Sequence, residues 1–184
     1  VNGQVIAEAA RNEKVRDSLL AADMVSCDGQ PIVLASRLLA AAPLPDRVCT
    51  TDLFHDIARE ARSRPITMYF LGATEEENRT AVERMTALYP HLKVAGRSHG
   101  FHSDEGWREL VANINDIGPD LLWVSLGVPR EQEFYMRFGH DLPNVGIIKT
   151  SGGLFNYLSG TVPRAPGWMR AAGLEWLYRM WDDP

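Results

Sequence analysis

Short apolar runs alternate along the chain with longer stretches in which apolar residues recur every three or four positions. Residues 66–72 (ITMYFLG), 120–127 (DLLWVSLG) and 145–153 (VGIIKTSGG) are apolar runs that close on glycine, the pattern of buried strands. Residues 92–98 and 22–28 are strand-like as well. Helical spacing fills the intervals. Residues 31–42 begin with Pro31 at a first turn. In 52–63, Leu53, Ile57 and Ala61 share a face and Asp52 stands as N-cap. In 74–90, Thr74 and Glu77 form a capping box and Pro90 stops the helix. Residues 103–118 end at Gly118-Pro119, and 130–140 form a further helix.

The recurring order is strand, short polar or glycine-containing turn, helix. It predicts an α/β fold with a doubly wound, mainly parallel sheet and helices on both faces, Rossmann-like. Such sheets bind ligands outside the carboxyl ends of their strands. Those ends are Cys27-Asp28-Gly29, Gly72-Ala73-Thr74, Gly127-Val128-Pro129 and Thr150-Ser151-Gly152-Gly153.

Composition narrows the function classes. With 184 residues, 45% of them hydrophobic, the chain can bury one substantial core. Its 19 Lys and Arg against 24 Asp and Glu leave a net charge of −5, which argues against nucleic acid as partner. Cys27 and Cys49 make no CxxC pair or disulfide framework, which suits a reducing compartment. No signal peptide and no apolar run of spanning length is visible.

The chemistry-bearing residues read two ways. Asp28-Gly29 is a common turn pair, and also sits where a ligand belongs. Asp52, beside Thr50 and Thr51, is either a helix cap or a general base. In SLGVPREQEF, Gly127 permits a sharp turn and Pro129 starts a helix whose N–H groups suit an anion. Arg130 fits a phosphate or sugar there, and Gln132 and Glu133 fall on the first turn. Gly152-Gly153 permits positive φ or a close ligand. Neither GxGxxG nor GxxxxGK[ST] is present, and neither is GxSxG. His99, His102 and Asp104 lack metal-site spacing, and Asp-x-Asp is absent. In the final segment Leu174, Leu177 and Trp181 repeat at helical spacing, with Trp176, Arg170 and Arg179 interleaved. That pattern suits a core-facing helix or a membrane interface. Asp182-Asp183 reads as solvated.

Taken in order, Asn2, ADMVSCDG, RVCTTDLF, YFLGATEE, HGF, PDLLWVSLGVPREQEF, SGGLFNYLSGTVPRAPGWM and LEWLYRM resemble the WecG/TagA/CpsF family of bacterial glycosyltransferases, over essentially the whole chain. The most specific parts are the loop running from Gly160 through Arg164-Ala165-Pro166 to Trp168, the LEWLYR helix and the turn after Gly127. The resemblance implies inverting transfer of an N-acetylmannosamine-type sugar from a UDP donor. The acceptor is a polyprenyl-diphosphate-linked sugar at the cytoplasmic face of the inner membrane, in cell-surface polysaccharide synthesis. It implies no cofactor and no metal, and a possible homo-oligomer.

By motif, Asp52 becomes the catalytic base. Asn2, Asp28, Gly29, Thr51, Gly72, Gly127, Gln132, Glu133, Gly152, Gly153 and Arg164 become substrate-binding residues, with Arg164 near a phosphate. Residues 1–160 become the UDP-sugar-binding domain. Residues 161–184 become a loop and the start of a membrane-facing appendage that continues, in the family, as a basic tail. Two departures stand out: Thr50 replaces a family glycine, and the Pro129 turn is one residue longer than the family's Pro-Lys-Gln-Glu.

Two other classes compete. A non-catalytic nucleotide-sugar-binding scaffold would bind UDP without transfer. A nicotinamide dehydrogenase would need the missing glycine fingerprint.

Overall fold

The structure is a computed structural model that describes residues 1–171 and 173–182. Its helices and strands run in this order: α1 (Gly3–Ala9), α2 (Glu13–Leu20), α3 (Gln30–Leu39), α4 (Thr50–Glu60), β1 (Thr67–Gly72), α5 (Glu75–Leu88), β2 (Lys93–Ser98), α6 (Asp104–Ile117), β3 (Leu121–Ser125), α7 (Arg130–Phe138), β4 (Ile147–Thr150), α8 (Leu154–Ser159), α9 (Gly167–Ala171) and α10 (Glu175–Asp182). They form two compact units: residues 54–162, and residues 1–53 together with 163–184.

The 54–162 unit holds a four-stranded, all-parallel sheet in the order β2-β1-β3-β4. Parallel strands need crossovers, and the helical segments between them supply these. Successive side chains point to opposite faces, so one β-run serves two layers. Tyr69, Leu71, Leu122 and Val124 face Val111 and Ile114 of α6 and Phe134 and Phe138 of α7. On the opposite face, Phe54 of α4 meets Phe70 and Trp123 edge-on or tilted, with centroids 5.9 and 5.4 Å apart. Phe155 of α8 lies 5.5 Å from Phe70. All four aromatic residues are fully buried, and each such side chain contributes about 1.5–3 kcal/mol. Helices thus cover both faces, as the alternating pattern predicts.

Local signals act as read. Thr74 Oγ1 accepts from Glu77 N–H at 3.2 Å, and Glu77 returns the bond at the Thr74 N–H, 3.1 Å away. Ser103 caps α6, and Gly118 ends it in the left-handed conformation.

Other expectations need correction. Residues 22–28 form no strand. Their backbone groups pair singly, Asp28 N–H to Val1 O and Val48 N–H to Cys27 O, so no ladder builds. In α4 the periodicity holds but its phase is off by one. Phe54, Ala58 and Ala61 are buried, while Leu53 and Ile57 are only half-buried. Asp52 is not the N-cap, because α4 begins two residues earlier, at Thr50. The helices α1, α2 and α8, only 6–8 residues long, lie where the sequence pattern predicts no element. Asn2 and Asn12 cap α1 and α2 through side-chain oxygens. Asp183 lies outside the described residues, as do the side chains of Arg179, Trp181 and Asp182.

Candidate active site: a cleft at the strand ends and a carboxylate pair on Arg164

A sheet in the order β2-β1-β3-β4 has its switch point between β1 and β3, since the chain leaves β1 in one direction for β2 and in the other for β3 and β4. There the carboxyl ends of neighbouring strands diverge and leave a crevice. A cleft of about 240 Å³ lies there. Ala73 and Thr74 border it after β1, Gly100 and Phe101 after β2, Gly127 and Arg130 after β3, and Gly152, Gly153 and Asn156 after β4. The turns are shaped for it. Ala73 has φ +56°, an uncommon conformation for a residue with a side chain. Its N–H is fixed on Ser125 O at 2.9 Å, and its carbonyl accepts from Gly100 N–H at 2.9 Å.

Gly127 and Gly152 also have positive φ, at +74° and +58°, and a Cβ on either would meet nothing within 4 Å. They therefore leave open space on the cleft side. Gly72 serves another purpose. It does not border the cleft, and a Cβ on it would lie 2.2 Å from Ser125 O, so the approach of β3 demands glycine there.

Arg130 supplies positive charge. Its guanidinium donates to Gly100 O and lies 4.9 Å from the Phe101 ring centroid, and both residues are exposed. Glu77 also borders the cleft, with its carboxylate engaged by Thr74. Glu133 is exposed and does not border the cleft. Gln132 is buried, and its amide donates to Glu131 Oε1 at 3.2 Å. Glu131, which the sequence reading passed over, is 4% exposed, and burial pushes its carboxyl above the usual range.

In the other unit a second cluster forms around Arg164. Its Nη1 donates to Asp52 Oδ1 at 2.5 Å, Nε to Glu175 Oε1 at 3.2 Å and Nη2 to Glu175 Oε2 at 3.1 Å. One guanidinium therefore bridges two carboxylates. The planar fork of Arg gives Glu175 two N–H groups while a third reaches Asp52, a directional arrangement that the point charge of Lys does not reproduce. Arg47 stands 3.9 Å from Glu175 and donates to Arg170 O. Burial works to raise the Asp52 carboxyl, but the Arg164 hydrogen bond and charge outweigh it and hold the group below the ordinary carboxylate range. Burial pushes the Cys49 thiol up, so it is neutral at pH 7.

The remaining sequence-predicted residues of this unit are engaged in helix starts. Asp28 Oδ2 accepts from both Thr50 N–H and Thr50 Oγ1, at 3.3 and 3.2 Å, so Asp28 caps α4. Asn2 caps α1, Gly29 precedes α3, and Thr51 is buried in the first turn of α4. Glu175, buried at the start of α10, is a site residue the sequence did not announce, since only the fold puts it on Arg164. Among the described residues, no group of three or more His, Cys, Asp or Glu is placed to hold a metal.

The whole chain, residues 1–184, matches the profile of the glycosyl transferase WecG/TagA/CpsF family. The chain belongs to this family. Two curated relatives have the length and identity to reinforce that. One is an N-acetylglucosaminyldiphosphoundecaprenol N-acetyl-beta-D-mannosaminyltransferase from Bacillus spizizenii, 31% identical over all of this chain and 70% of its own length. The other carries the same name, comes from Bacillus subtilis and is 32% identical over the same shares. Within the WecG/TagA/CpsF family member described here, no described helix is long and apolar enough to cross a membrane.

Proposed function

We propose that this protein transfers a sugar, of the N-acetylmannosamine type, from a UDP donor to a polyprenyl-diphosphate-linked sugar acceptor in cell-surface polysaccharide synthesis. The observation that carries the donor half is the cleft at the sheet's switch point, with glycine turns after β3 and β4 and Arg130 at its edge. Backbone that can approach closely, next to a guanidinium, is chemistry suited to a diphosphate. Both Bacillus relatives are named for such an acceptor and such a sugar.

The reaction is a single displacement. The acceptor hydroxyl oxygen forms a bond to the anomeric carbon while the bond from that carbon to the diphosphate oxygen breaks. UDP leaves with the electron pair, the configuration inverts, and the hydroxyl proton passes to a carboxylate base. Asp52 is the base. Arg164 keeps it ionised at neutral pH, and therefore able to accept a proton. In our reading Arg130 and the backbone of the cleft meet the charge growing on the leaving diphosphate, which makes a metal unnecessary.

Trp168, Trp176 and Leu177 of α9 and α10 are 68%, 41% and 43% exposed. Apolar and amphipathic side chains on short helices suit the headgroup region of a bilayer. We assign residues 161–184 to the membrane contact, at the cytoplasmic face where a UDP-sugar is available.

The deciding experiment incubates the full-length protein with a panel of UDP-sugars and a short-chain lipid-diphosphate-N-acetylglucosamine. Formation of the lipid-linked disaccharide and free UDP is expected with UDP-N-acetylmannosamine. UDP binding with no transfer from any donor would favour a binding-only protein, a reading that the hold of Arg164 on Asp52 makes chemically sensible.

A further inference from the structure

The turn after β4 is held in place by a side chain from another helix. Glu131, the second residue of α7, aims its carboxylate at the backbone of that turn. Its Oε2 accepts from the Gly152 N–H at 2.7 Å and from the Ser151 N–H at 3.2 Å. Its Oε1 accepts from Gln132 Nε2 at 3.2 Å. Ser125 completes the hold: its hydroxyl donates to Gly152 O at 2.7 Å and accepts from Phe155 N–H at 3.3 Å.

A carboxylate 4% exposed is an expensive way to fill space. It is tolerated where several N–H donors surround it, and then it fixes those donors firmly. Two consecutive backbone N–H groups converge on one oxygen here; the Ser151 N–H is already anchored on Val124 O at 2.8 Å, so it is the Gly152 N–H that depends on the carboxylate. Gly152, with φ +58° and open space beside it, is a residue that would otherwise sample many conformations. Gly152 and Gly153 border the cleft, whereas Glu131 does not.

We propose that Glu131 is a positioning residue for the donor. It holds the Ser151-Gly152-Gly153 turn in the conformation that receives the diphosphate, and Gln132 orients Glu131 rather than touching substrate. The turn is thereby shaped before the nucleotide arrives, which removes an ordering cost from binding. This inference rests on the diphosphate reading of the cleft.

Two measurements on the full-length protein separate the inference from that reading. The first is amide hydrogen exchange at Ser151 and Gly152 without nucleotide. The Gly152 amide is expected to exchange faster in Glu131→Ala, while the Ser151 amide, held by Val124 O, and those of β1 and β3 stay protected. The second is calorimetric titration with UDP, together with donor KM and kcat. Glu131→Ala is expected to weaken UDP and raise donor KM by about tenfold, with kcat at saturating donor and acceptor KM little changed. Glu131→Gln should remain within a few-fold of wild type. Its Oε1 still accepts from the turn, and a flipped Gln132 can offer its Oε1, which has no partner in the native structure, to the new amide. Should Glu131→Ala fail to fold, Glu131→Asp carries the test, since its carboxylate, one methylene shorter, retreats from the Gly152 N–H. Unchanged exchange at Gly152 in these variants overturns the inference, and so does wild-type UDP affinity beside faster exchange. A wild-type protein that binds no UDP overturns the donor reading instead, and the exchange experiment still decides whether Glu131 holds the turn.

Discussion

Arg164 grips Asp52 across 112 residues of sequence, with Nη1 2.5 Å from Oδ1, and the same guanidinium holds Glu175. The base proposed for transfer is therefore ionised but engaged. Arg164, whose motif suggests a phosphate contact, has its donors on carboxylates.

Asp52→Asn tests the base. The amide keeps the size of the side chain and loses the proton-accepting charge. Transfer should fall by about 10²- to 10⁴-fold, with UDP affinity unchanged by calorimetry. Undiminished turnover removes Asp52 from the mechanism.

The pairing also predicts a pH dependence. Arg164 lowers the Asp52 carboxyl despite burial, so the stabilising contact is present at neutral pH and is lost as pH falls through the depressed folded pKa. Arg164→Lys should let the carboxyl rise toward its ordinary value. The acid limb of the kcat/KM profile should then move to higher pH. A profile that superimposes on wild type would show that Asp52 does not titrate in the catalytic step.

Arg130 is exposed at the cleft edge, so its contribution to a bound diphosphate should be electrostatic and salt-sensitive. Arg130→Ala should weaken UDP by about tenfold at low ionic strength and by less in high salt. Equal loss at all salt concentrations would point instead to a change in the Phe101 loop.

Gly72→Ala should cripple the sheet. The added Cβ would lie 2.2 Å from Ser125 O, at φ +129°. Strain and overpacking together should cost roughly 3 kcal/mol or more, read as a lowered urea midpoint or insoluble protein. Asp28→Ala, by contrast, removes only the cap on Thr50 and should cost about 1 kcal/mol.

If Trp168 and Trp176 meet a bilayer, replacing both with Ser should reduce cosedimentation with anionic vesicles and leave UDP binding intact. Unaltered cosedimentation would move the membrane contact elsewhere.

Much of the 54–162 unit was legible in sequence because its signals are local. Thr74 and Glu77 cap each other within one turn, Gly118 ends α6, and the apolar runs at 66–72 and 120–127 supply β1 and β3, which pair with each other. Residues 22–28 misled because strand-like composition does not supply a strand partner. Asp52 reads locally as a cap because the carboxylate that caps α4, Asp28, lies 22 residues from Thr50 in sequence.

The alternation of strand and helix, the glycine turns at the strand ends and the family resemblance are all legible in residues 1–184 alone. All of these depend on neighbours within a turn or two, or on motifs read in order. Which charges meet depends on how distant segments pack. That Arg164 faces Asp52 and Glu175, and that Glu131 turns inward to hold Ser151 and Gly152, follows from packing. A buried charge takes whatever partner the fold brings within hydrogen-bond reach, and no periodicity records that distance.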